Sequence, residues 1–90
     1  MLLMKCDHFN KRQGQRGLKK NVLDFILEYA EIRYARRATW LVIEKKKLPK
    51  NLKNTSLAKR AAQWLVMMRD GILITCYRNG NPLRHLSRSH

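Results

Sequence analysis

The stretch MRDGILITCYRNGN, residues 68–81, leaves the chain the fewest choices. Asp70-Gly71 is a tight-turn signal, and Asn79-Gly80 is a second. The seven residues between them, Ile72–Arg78, are rich in β-formers. Side chains alternate on a strand. Simple alternation puts Ile72, Ile74 and Cys76 on one face and Leu73, Thr75 and Tyr77 on the other. The first face suits a core. The second sets two hydroxyls beside a leucine, with a guanidinium, Arg78, at the strand end.

The residues around this strand extend it into a sheet. QWLVMM (63–68) reads as the strand before the Asp70-Gly71 turn, and TWLVIE (39–44) as a buried strand before that. LRHLSR, after Pro82, reads as a fourth strand, placed at an edge because proline cannot donate to a ladder. Two helices precede the sheet. Val22, Leu23, Ile26, Leu27 and Ala30 recur at helical spacing and predict an amphipathic helix over 19–31. A shorter helix over 8–16 is expected, with Asp7 as its cap and Gly17 as a left-handed stop. RYARRA (33–38) reads as a basic linker. Between 49 and 61 some helix is expected: Pro49 suits a first turn, or Ser56 caps a shorter helix over 57–61. The fold class is α+β, with two N-terminal helices packed on one face of a mainly antiparallel, about four-stranded sheet. The other face is expected to be free.

Ninety residues make a single domain, 1–90. Its charge is the unusual property. Twenty Lys and Arg stand against six Asp and Glu, formally +14. Most cations therefore lack a local acid, and such a field attracts polyanions, nucleic acid foremost. Lys19, Lys20, Arg33, Arg36, Arg37, Lys45, Lys46, Lys47, Lys59 and Arg60 are the candidate phosphate-attracting residues. Cys6 and Cys76 fit neither a disulfide framework nor a zinc motif and read as reduced thiols of a cytoplasmic protein. No apolar run reaches membrane-spanning length. No phosphate-cradling glycine loop or metal-spaced His/carboxylate cluster occurs, so no cofactor and no metal are expected.

Two stretches resemble a known family. HFNKRQGQRGLKKNVLDFILEYAE is similar to the head of a bacterial domain-of-unknown-function family: a His, polar residues, an Arg, then Arg-Gly-Leu and a helix ending near Tyr-Ala. WLVMMRDGILITCYRN resembles its tail: an apolar strand, Asp-Gly, an apolar pair, Thr, and an aromatic before Arg. Together they span residues 7–80. Phe9 stands where a small residue is usual, and Tyr77 where some relatives carry His. The resemblance implies the fold of the barnase, colicin and RelE-type toxin ribonucleases, with RNA on the sheet face away from the helices. It also implies metal-independent RNA cleavage and a small acidic antitoxin as partner. Carried over by position, His8, Arg12, Arg16, Thr75, Tyr77 and Arg78 are the implied site.

Such cleavage needs a base for the ribose 2′-hydroxyl, an acid for the leaving oxygen, and cations for the developing phosphorane charge. His8 and His85 are acid/base candidates because imidazole titrates near neutrality. Arg12, Arg16 and Arg78 would clamp phosphate, Thr75 would donate one hydrogen bond, and Tyr77 would act as an acid or orient phosphate. Each also has a plain structural use: His8 as a surface group, Arg16 bonding helix-end carbonyls, Tyr77 packing across strands. Trp40 and Trp64, in apolar strands, read as core. A non-catalytic nucleic-acid-binding module and an interaction protein docking an acidic partner are the alternatives to the nuclease.

Overall fold

The computed structural model describes residues 4–87, except for the side chains of Leu83, His85 and Ser87. Strand β1 (Met4–Lys5) leads into helix α1 (Asp7–Arg16) and helix α2 (Lys20–Tyr29). Strands β2 (Glu31–Ala35) and β3 (Ala38–Val42) follow, then a single 3-10 turn at Lys45–Lys47. Short helices α3 (Lys50–Lys53) and α4 (Ser56–Ala61) precede strands β4 (Trp64–Arg69) and β5 (Ile72–Arg78). Helix α5 (Pro82–Ser87) closes the described chain. The sheet has five strands in the order β1-β5-β4-β3-β2. Among the described residues only the short β1 is parallel to its neighbour; the other pairings are antiparallel. The class is α+β, as expected, with one strand more than the expected four.

The helix-side core forms where the apolar stripe of α2 (Val22, Leu23, Ile26) and Phe9 of α1 meet Leu41, Trp64, Val66, Leu73 and Cys76 of the sheet. Phe9 and Ile26 are wholly buried. Helix α1 starts one residue earlier than Asp7 capping would allow. Cys6 caps it instead, its Sγ accepting the Phe9 N–H at 3.4 Å. Gly17 stops it at φ 72°, the left-handed conformation that glycine adopts freely. Thr55, rather than Ser56, caps α4 by accepting the Ala58 N–H at 3.1 Å.

Three readings of the strands are also corrected. The basic linker 33–38 is a β-hairpin. Arg36 and Arg37 form its two-residue turn, with φ of 53° and 60°. Such turns favour Asn-Gly, and an Arg-Arg pair gives no sign of one. The fourth strand after Pro82 is instead α5. Proline suits a first helical turn, and Leu83 and Leu86, three apart, match the helical period. The second sheet face is consequently not free. Leu86 of α5 packs there with Trp40, Val42 and Leu65.

The third correction concerns β5. Met67 pairs with Thr75 and Met68 with Leu73, so Ile74 is a bulge residue with no partner of its own. The extra residue reverses the alternation. Leu73 joins Cys76 in the helix-side core, while Thr75 and Tyr77 face the opposite way. Cys6 Sγ lies 3.5 Å from the bulge carbonyl of Ile74 and donates to it.

Candidate nucleic-acid interface

Helix α1 lies along β5 and presents His8, Arg12 and Arg16 at four-residue spacing, one slanted stripe on its surface. His8 and Arg16 are exposed, and Arg12 is half-buried. Arg16 passes the edge of β5 and sets its guanidinium 5.0 Å from the centre of the Tyr77 ring. A cation over an aromatic face is attracted by the ring quadrupole. Tyr77 in turn tilts against Trp40, with centroids 6.1 Å apart. Arg12 and Arg16 also lie close enough to Cys76 to act on its thiol. Burial pushes that thiol's pKa up, and the two guanidiniums offset part of the rise. His8 sits about 12 Å along the helix axis from Arg16, two turns away.

The remaining members of the implied site go elsewhere. Thr75 is 2% exposed, and its hydroxyl has no hydrogen-bond partner among the described residues. It lies within the sheet rather than on an accessible surface. Arg78, paired across the ladder with Trp64, leans to the helix side of the strand end. There its Nε and Nη2 both donate to Gln63 Oε1, at 3.3 and 3.0 Å. The backbone of His85 belongs to α5, across the second sheet face; its side chain lies outside the described residues.

Two clefts meet at Gln63. One, of about 250 Å³, is lined by Gly17, Lys19, Val22, Arg60, Trp64 and Arg78 together with Gln63. The other, of about 570 Å³, runs past Glu44, Lys45, Lys46, Lys59 and Asn81. Lys59 and Arg60 stand in the last turn of α4, where cations also suit the carbonyl end of the helix dipole.

Not all of the candidate cations are available for phosphate. Glu44, 8% exposed, receives Arg33 Nη2 at 2.6 Å, Lys47 Nζ at 3.4 Å and Lys46 Nζ at 3.8 Å. Lys47 also approaches Glu31 at 3.7 Å. Burial alone would raise the pKa of Glu44; the hydrogen bond and charge of Lys47, then Arg33 and Lys46, outweigh it and hold the carboxyl below its ordinary value. Arg33, Lys46 and Lys47 therefore serve the fold as well. Lys19, Lys20, Arg36, Arg37, Lys45, Lys59 and Arg60 are exposed, with no ion pair among the described residues.

Gln63 was not singled out by the sequence. It reads there as the first residue of a strand, and only the meeting of β5 with the end of α4 gives it a role. Among the described residues no group of three or more His, Cys, Asp or Glu could hold a metal ion, and no helix is long and apolar enough to cross a membrane. No family model matches this chain, and no curated protein or solved structure matches it either.

Proposed function

We propose that this chain is a toxin-like RNA-binding protein that cleaves RNA without metal. The observation that supports it best is the run of cations from half-buried Arg12 and exposed Arg16 of α1 to exposed Lys19, Arg60 and Arg78, with no acid paired to them among the described residues. A phosphodiester fits such a surface because each phosphate oxygen can accept from a different guanidinium or ammonium. Arg12 and Arg16 would hold the scissile phosphate, and the Tyr77 hydroxyl would serve beside them as acid or donor. His8, on the same stripe of α1, would take the 2′-hydroxyl proton. Two free cysteines, one wholly buried, accord with a cytoplasmic setting.

The burial of Thr75 and the turn of Arg78 towards Gln63 favour a second reading, a module that binds RNA without cutting it. One experiment separates the two. Purified protein is incubated in EDTA with RNA containing paired and single-stranded regions, beside His8→Ala and Tyr77→Phe. Cleavage lost in both variants, with binding retained, supports the nuclease. Salt-sensitive binding without cleavage supports the module. Binding to RNA that is absent at physiological salt would reject both and favour an acidic protein as the partner of this surface.

A further inference from the structure

We propose that the cleft at the end of β5 is a phosphate subsite, in which Arg78, braced by Gln63, acts with Lys19 and Arg60 on a backbone phosphate of bound RNA. The identity of the strand rests on the RNA-binding reading; the chemistry of the cleft does not.

Three separate elements deliver the cations. Arg78 comes from β5, Lys19 from the turn between α1 and α2, and Arg60 from α4. Among the described residues, no acid lines the cleft. Three cations converging on about 250 Å³ repel one another unless an anion lies between them. Donors arriving from three directions suit a tetrahedral phosphate, whereas a flat carboxylate is satisfied by one guanidinium fork. Buried Val22 and Trp64 line the cleft, and their low polarity strengthens charge–charge attraction within it.

Gln63 is the positioning residue. Its Oε1 takes the Nε and Nη2 donors of Arg78, one side of the guanidinium. The other fork, Nη1 with the second Nη2 hydrogen, is left for a ligand. Gln63 is itself held: its N–H donates to the Arg60 carbonyl at 3.2 Å, and its own carbonyl accepts the Asn79 N–H at 2.7 Å. Arg78 is therefore oriented before any phosphate arrives, which reduces the ordering cost of binding.

The test uses the full chain with two probes, inorganic phosphate and a short oligouridylate lacking terminal phosphates. Nuclear magnetic resonance follows the Arg78 Nε–H and the Gly17 and Lys19 amides, and fluorescence anisotropy gives affinity against salt. Thermal unfolding checks that each variant is folded. The oligouridylate is expected to shift these three resonances saturably. Arg78→Lys keeps the charge but not the fork and should weaken binding about tenfold, with an unchanged salt slope. Gln63→Leu should weaken it about fivefold at unchanged charge. Arg60→Ala should lower the salt slope by about 0.7, one single-strand phosphate contact. Wild-type affinity in Arg78→Lys and Gln63→Leu would overturn the proposal. Oligouridylate binding that moves only α1 resonances would also overturn it, leaving the RNA-binding reading intact. Saturation by inorganic phosphate with no oligouridylate binding would overturn RNA as the source and, with it, the RNA-binding reading.

Discussion

Thr75→Val is the substitution that most sharply divides a structural role from a functional one. Thr75 is 2% exposed and its hydroxyl has no hydrogen-bond partner among the described residues. Leaving a buried hydroxyl unsatisfied costs about 1–3 kcal/mol. Valine has nearly the same shape and puts a methyl group where the hydroxyl lies, on a sheet face already holding Leu65, Trp40 and Val42. The expected result is stabilisation by about 1–2 kcal/mol, or about 4–8 °C in Tm for each kcal/mol in a domain of this size. Thr75→Ser keeps the hydroxyl and removes a methyl, so it should destabilise by about 1 kcal/mol. Urea unfolding of the three proteins should give the order Val, Thr, Ser from most to least stable. RNA binding and any cleavage should be unchanged in Thr75→Val. A less stable Thr75→Val, or one that loses activity while Thr75→Ser keeps it, would refute the reasoning and return the hydroxyl to the site.

Three further substitutions bear on the scaffold. Phe9 is wholly buried beneath α1, so Phe9→Ala should cost about 3–5 kcal/mol by urea unfolding. Gly17→Ala places a side chain at φ 72° with open space around it, so only backbone strain acts; a loss of about 1 kcal/mol is expected, and no loss would show that α1 can end otherwise. Glu44 has its pKa lowered in the fold from the ordinary 4.5. A carboxyl held low contributes stability that is present above its unfolded value and is lost as pH falls through its folded value. Glu44→Gln should therefore be less stable than wild type at neutral pH, and the two stability curves should converge on acidification below about 4.5. Curves that stay parallel would show that the Arg33, Lys46 and Lys47 contacts contribute nothing.

The candidate site was legible where one element carries it. The His8, Arg12 and Arg16 stripe follows from helical spacing, and Gly17 marks the end of that helix. It was not legible where the sheet register intervenes. The bulge at Ile74 cannot be seen in a run of apolar residues, yet it sends Leu73 into the helix-side core and parts it from Thr75 and Tyr77. The Arg36-Arg37 turn was hidden for a similar reason: two arginines in left-handed conformation gain their place from the β2–β3 pairing, not from their own preference. Gln63 is a pair effect over fifteen residues of separation, and no local pattern announces it.

Local physics alone determined the α+β class, the amphipathic α2, the stop at Gly17 and the Asp70-Gly71 hairpin. Each depends on the preferences of a few neighbouring residues, and those preferences act in any context. Charge balance, likewise a property of composition, made the chain strongly basic. Tertiary structure decided which cations remain for a ligand. Glu44 draws in Arg33, Lys46 and Lys47, while Lys19, Arg60 and Arg78 converge on a cleft. It also decided that α5 covers the second sheet face, because Leu86 finds there an apolar surface of Trp40, Val42 and Leu65 that no stretch of sequence contains by itself.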